Sequence, residues 1–416
     1  MKLTKYFYIL VLLIPFISCK ENQEPSTELL VEGDWHLDLH INDKHTLPVT
    51  FSLNKLDTAY TIEIINADEV IKMSDIVING KKITIKDPIF NSWFEGEVVN
   101  AHKIKGVWYK ESKDYKIPFT AEYGVKDRFL APEKLNDHHE NISGKWEVDF
   151  SKGTPDHYKA IGYFEQVDNY VTGTFMTETG DYRYLEGNMY NNNLYLSTFD
   201  GSHAFLFKGA LINGTLEGVF WSGNHWEEPW AAARNESFEL TNPDSLTYLK
   251  EGYDGLAFTF PNIDGDSVSL TDEKYRNKVV IVNIMGPWCP NCKDETKYLA
   301  ELYNQHNKEG LEIIALSFDK TDDFLKSKAS IQKIIKFYNA NYDFLIAGKA
   351  NKIGAAKALP MLNHIMSYPT SIFIDRKGKV RKIRTGFYGP GTGNYYTRYT
   401  EETDIFIKKL LAEKVN

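Results

Sequence analysis

Two β-rich units in series followed by an α/β domain are the fold class this sequence predicts. Three observations lead there. A chain of 416 residues is too long for one core, since single hydrophobic cores stop growing at roughly 250 to 300 residues. From about Leu29 to Asn242 short alternating runs are separated by turn residues, whereas after Tyr253 continuous apolar runs alternate with segments of helical spacing. The β-rich half also repeats itself weakly. Gly33-Asp34-Trp35 and Gly144-Lys145-Trp146 stand 111 residues apart, Phe94-Glu95-Gly96 and Phe207-Lys208-Gly209 stand 113 apart, and Gly106 and Gly218 stand 112 apart.

The chain opens with an address. Lys2 and Lys5 precede an apolar run, Tyr6 to Ile17, of twelve residues, well short of the ~20 a membrane-crossing helix needs. Residues 1–18 therefore read as an export signal. Phe16-Ile17-Ser18-Cys19 resembles a bacterial lipobox with Phe16 where Leu is usual, which makes Cys19 the lipidated residue and 19–28 a polar tether. An ordinary cleaved signal with an incidental Cys19 is the alternative.

The β units are expected at 29–130 and 142–242, with a polar linker at 131–141 that holds Pro132, His138 and His139. Trp35 to Ile41 and Lys82 to Lys86 alternate apolar and polar, and Asn79-Gly80 supplies a turn. Together they are expected to form two similar sandwich-like or barrel-like units. Their many aromatic residues suit a pleated core, with a ligand groove as the rival reading. Trp221 to Trp230 contains His225, Glu227 and Glu228, but nothing fixes a ligand geometry, so the segment reads as a loop and no metal is expected.

In the α/β domain, 253–416, Val279 to Met285 and Leu311 to Phe318 read as strands buried on both faces. Helices are expected from Asp294 to His306, Asp323 to Asn339, Asn351 to Leu359 and Glu401 to Ala412, with a strand at Phe344 to Ala347 and two more flanking Lys377-Gly378. The composition, 42% hydrophobic and 25% charged, is globular, and a net charge of -9 without a basic block excludes nucleic acid as a partner.

With Cys19 set aside, Cys289 and Cys292 are the remaining cysteines. Trp288-Cys289-Pro290-Asn291-Cys292 follows a buried strand and opens a helix. Unpaired N–H groups and the helix dipole there favour an anion, so Cys289 is expected to form a thiolate at lower pH than a free thiol. Pro290 suits the first helical turn. Cys292, one turn further in, is placed to attack a mixed disulfide. Zinc would need two further ligands, which the isolated His306 and His364 do not supply.

From about Ala257 onward the chain resembles the TlpA/ResA-like branch of the thioredoxin family. The resemblance rests on Phe258 to Gly265, on Asn283 six residues before Cys289, on the WCxxC motif and on Tyr368-Pro369-Thr370 before a strand. It implies a thioredoxin-like fold, a cis Pro369 facing the cysteine pair, and a substrate surface formed by Trp288, Pro290, Tyr368 and Pro369. It also implies that Glu295 replaces the acid missing at Asn283 as proton acceptor. Expected partners are oxidised or reduced protein thiols in the cell envelope and an upstream membrane electron donor, with electrons passed to protein disulfides. No cofactor is implied, because Gly389 to Gly393 lacks the Lys and Ser or Thr of a phosphate cradle. That loop is either a rim of the site or a plain surface turn. Two rivals remain. A peroxidase of the AhpC type carries Thr three residues before its reactive Cys, where this chain has Gly286. A binding module would use the β half to hold a glycan or a peptide.

Overall fold

A computed structural model describes residues 29–111, 115–129 and 140–414. Cys19, the proposed signal and tether, and most of the 131–141 linker lie outside these residues.

The first unit is a nine-stranded antiparallel meander whose first strand, Gly33–His40, pairs with both Thr46–Leu56 and Tyr115–Tyr123. Its two edges are Glu69–Met73 and Asp75–Asn79, consecutive in sequence but not laddered to each other. The sheet therefore curls without closing. In the second unit Gly144–Phe150 pairs with Trp226–Arg234, and Tyr158–Val167 pairs with Tyr170–Thr177. All its strands but the two-residue Gly180–Asp181 thus close into a barrel. Alternation fills the barrel with Trp146, Phe150, Phe164, Phe175, Phe207 and Trp230, so the aromatic residues are mainly core.

The repeat has a structural meaning. Gly33 and Gly144 both take left-handed backbone, with φ of 123° and 113°, which glycine adopts without a Cβ clash. Each starts a strand whose Trp indole donates back four residues, Trp35 to the Val31 carbonyl and Trp146 to the Ile142 carbonyl, both at 2.9 Å. Gly96 faces Gly106 across one pair of strands, and Gly209 faces Gly218 across the other. A Cβ on Gly106 or Gly218 would come within 2.1 Å of a neighbouring carbonyl oxygen.

Trp221 to Trp230 is not a loop. Thr215–Ser222 and Trp226–Arg234 form a hairpin in which Trp221 faces Glu227, and only Gly223 to His225 make the turn. Two of its polar residues lie on ladder positions: Glu227 accepts from the Trp221 indole at 2.9 Å, and Glu228 is buried.

The C-terminal domain holds a five-stranded sheet in the order Asp343–Lys349, Leu311–Asp319, Val279–Met285, Thr370–Ile374, Val380–Thr385. The first three run parallel, Thr370–Ile374 runs against them, and Val380–Thr385 runs against Thr370–Ile374. Val279–Met285 is buried throughout and feeds both faces. Val279, Ile281 and Met285 pack with helices α1 (Pro290–His306), α2 (Phe324–Tyr338) and α4 (Asn394–Ala412). Val280, Val282 and Ile284 pack with α3 (Lys352–Ala358) and with Phe258, Val268 and Tyr275. Helix α4 begins at Asn394, seven residues before the expected Glu401, because Gly389 to Gly393 runs directly into it and Tyr399 packs into the core.

Candidate active site

Cys289 caps helix α1. Its sulfur accepts the Cys292 backbone N–H at 3.3 Å, the part usually played by a Ser or Asp oxygen, and Pro290 occupies the first helical position. The Cys289 thiol also donates to the Tyr368 carbonyl at 3.3 Å. Both cysteines are free. Cys289 is 7% exposed and Cys292 wholly buried. Burial, reinforced by the adjacent Cys289, pushes the Cys292 thiol well above its ordinary range.

The Tyr368-Pro369 bond is cis, and the Pro369 carbonyl accepts from Gly386 N at 2.9 Å. Trp288 lies edge-on to Tyr368 with ring centres 5.6 Å apart, donates to the Phe318 carbonyl at 3.1 Å and carries the Lys320 ammonium over its ring. Trp288, Pro290 and Tyr368 line the cleft at Cys289, and Pro369 follows Tyr368 through the cis bond.

Glu295 points from α1 into the sheet. It accepts from Asn283 Nδ2 at 2.6 Å, Ser371 Oγ at 2.9 Å and Tyr399 OH at 3.2 Å. Burial pushes its carboxyl up to about 7, against the opposing pull of these donors. Asn283 Oδ1 is buried without a hydrogen-bond partner. Turning that amide over would let it accept from a protonated Glu295, so the site has a partner for either protonation state.

Asp294, the neighbour of Glu295, makes its contact outside the domain. It pairs with Arg183 of the second barrel, a buried guanidinium that also pairs with Glu69 of the first sheet and with Asp200 at 3.5 Å. Around this node the barrel hairpin carrying Gly180–Asp181 seats on the redox domain. Ser367 Oγ donates to the Thr179 carbonyl at 2.7 Å, Tyr388 OH to the Thr177 carbonyl at 3.0 Å, and Gly389 N to Asp181 at 2.5 Å. Asn291, inside the CxxC, bridges Phe387 and Asp181. The Gly389 loop is thus fastened to the barrel and is not a plain surface turn.

Sequence reasoning missed Arg183, Asp181, Ser371 and Tyr399. Ser371 could have been found two residues after Pro369, but the others carry no local signal. Among the described residues no group of His, Cys, Asp and Glu is arranged to hold a metal, and no helix is long and apolar enough to cross a membrane. His225 lies beside Tyr115 of the first sheet, with ring nitrogen and hydroxyl 3.3 Å apart.

The AhpC/TSA family matches residues 252–383. Over 129 residues the chain is 31% identical to the thiol-disulfide oxidoreductase ResA of Geobacillus thermodenitrificans, covering 31% of this chain and 66% of that protein. Against ResA of Bacillus anthracis it is 31% identical over 132 residues, covering 32% of this chain and 68% of the other. The thiol:disulfide interchange protein of Chlorobium tepidum, a solved structure, is 18% identical and aligns with 39% of this chain and 99% of its own, at a TM-score of 0.30. Through its C-terminal domain, the chain belongs to the ResA family of thiol-disulfide oxidoreductases.

Proposed function

We propose that the chain is a cell-envelope reductase of protein disulfides, with Cys289 as nucleophile, Cys292 as resolving thiol and Glu295 as proton acceptor. The observation that carries this reading is the asymmetry of the pair: one sulfur caps a helix beside the Tyr368 carbonyl, and the other is sealed behind it with its thiol pushed up. The Cys289 thiolate attacks one sulfur of a substrate disulfide, forms a mixed disulfide and releases the other substrate sulfur as a thiol after protonation. Cys292 gives its proton to Glu295 and attacks Cys289, forming the Cys289–Cys292 disulfide and releasing the second substrate thiol. Two electrons leave the enzyme, and a membrane dithiol donor of the same chemical class returns them. Glu295 suits its part because a carboxyl held to about 7 exchanges protons near neutrality.

In the same reading the protein is exported and tethered through Cys19, on the strength of the lipobox-like Phe16-Ile17-Ser18-Cys19. The chain divides as signal 1–18, tether 19–28, β units 29–130 and 142–242 around linker 131–141, and redox domain 253–416. Replacing Cys19 by Ser is expected to release the protein from membranes, and retention after washing would point to another anchor. A peroxidase is disfavoured at Gly286, where even a Cβ would stand 2.6 Å from Trp288 Nε1.

The test is a trap. Cys292→Ala keeps the attacking sulfur but removes the one that resolves, so reducible higher-mass adducts are expected on non-reducing gels of envelope extracts, with none for Cys289→Ala. Free monomers from both variants, with loss of peroxide consumption, would replace the exchange reading by the peroxidase.

A further inference from the structure

Cys289 is nearly buried. It lines a cleft of about 520 Å³ whose opposite wall is the mouth of the second barrel. On the redox side stand Trp288 and Tyr368, and on the barrel side Tyr182, Phe205, Phe220 and Trp226. Tyr182, Phe205 and Phe220 are fixed in one aromatic cluster, with ring centres 5.2 to 5.3 Å apart. Trp226 is different. It opens the Trp226–Arg234 strand and is 46% exposed, a large indole left in water in the same cleft as Cys289.

Size and chemistry narrow what enters. A folded partner docks over roughly 800 Å² of each surface, but the barrel wall stands across Cys289 and is held by the Arg183 node and the Thr177, Thr179 and Asp181 hydrogen bonds. A cleft of this volume falls within the ~300 to 1,000 Å³ of sites that enclose small ligands, and a single extended chain presents one cysteine there. Charges of both signs line the cleft, Lys110 and Lys320 against Asp181 and Glu228, so no net sign selects the ligand. The aromatic walls remain.

We infer that this cleft takes an extended, cysteine-bearing peptide segment with an aromatic residue next to the cysteine, and that Trp226 of the second barrel reads that neighbour. The inference rests on the dithiol-exchange reading above and gives the second barrel the task of choosing substrates. Trp226 touches the substrate beside the reacting sulfur and takes no part in the exchange.

The test uses the pre-reduced intact chain in single-turnover reactions with disulfide-linked dimers of two peptides, Gly-Phe-Cys-Phe-Gly and Gly-Ser-Cys-Ser-Gly. The small aromatic disulfide DTNB and folded ribonuclease A complete the set. Wild type is expected to reduce the Phe-flanked dimer about tenfold more efficiently than the Ser-flanked one, the size of a single aromatic anchor, and to spare folded ribonuclease. Trp226→Ala is expected to cut that preference to about twofold, chiefly by raising the half-saturating concentration and not by lowering the maximal rate. Equal rates for the two peptides in wild type would overturn the inference, and this comparison holds even if the variant fails to fold. A folded Trp226→Ala that keeps the full preference, or ready reduction of ribonuclease, would also overturn it while leaving dithiol exchange intact. Failure to reduce any of the four, DTNB included, would remove the exchange reading beneath it.

Discussion

The two β units begin alike and end differently. Both start with a left-handed glycine and a back-bonded Trp, and both carry a facing glycine pair in the two strands before the last. They part in the middle. In the first unit Glu69–Met73 is long enough to ladder along Ala59–Asn66, so Asp75–Asn79 finds that edge taken and the sheet stays open. In the second the equivalent piece shrinks to Gly180–Asp181, which leaves Tyr170 to Gly173 free to pair with Leu185–Tyr190 and close the barrel. The shortened hairpin then reaches the CxxC helix. The strand at which the two units differ is thus the one that meets the redox domain.

The node at Arg183 is where this difference bears most weight. Removing its side chain by Arg183→Ala would leave the carboxylates of Glu69, Asp200 and Asp294 facing one another, with an expected loss of about 3 to 5 kcal/mol. Thermal unfolding of the intact chain reads this loss, together with slower peptide reduction as the barrel loosens. If the melting temperature does not move, the node is not what holds the barrel to α1.

Next to Asp294, which faces the barrel, Glu295 faces the sheet, so Glu295→Gln separates the two sides of one helix. An unfolded Glu loses its proton near 4.5 and the folded Glu295 near about 7. Between these values the folded state binds more protons at this site, so the contribution of Glu295 to stability is greatest below pH 4.5 and falls as pH rises through 7, by on the order of 3 kcal/mol in all. Glu295→Gln is expected to flatten that slope and to slow exchange about 10²- to 10⁴-fold. An unchanged slope would mean that Glu295 does not titrate in this window.

Smaller effects test the kinship of the units. Gly106→Ala and Gly218→Ala are each expected to cost about 1 to 3 kcal/mol, and nearly the same amount, since each adds a Cβ against the facing strand. A difference above about 2 kcal/mol would break the equivalence, because closure alone would then set the cost. Smallest is Lys326→Ala at the exposed contact between the first unit and α2, where Lys326 and Glu111 are 3.6 Å apart. It is expected to stay within about 0.5 kcal/mol.

Much of this was legible in the sequence wherever one residue type answers to one local demand. The glycines and Trp of the repeat marked equivalent strands, continuous apolar runs marked a sheet buried on both faces, and the strand-CxxC-helix context located the cysteine pair. Pairings between distant segments were not legible. Arg183 and Asp294 lie 111 residues apart and their meeting depends on a barrel closing, while Tyr399 reaches Glu295 only because α4 starts seven residues early, at Asn394. Trp221 to Trp230 misled because polar residues at ladder positions resemble a turn when their partners are unknown.

Cys289 and Cys292 are expected to form one reducing dithiol in the intact chain. Equilibrating that chain in defined thiol-disulfide buffers and counting alkylated cysteines measures its potential directly. A two-electron transition changing tenfold per about 30 mV, centred near the reducing end of the thioredoxin range at about -270 mV, is the predicted result. A midpoint near about -120 mV would make the protein an oxidant and contradict the account, as would two cysteines that alkylate independently at every potential.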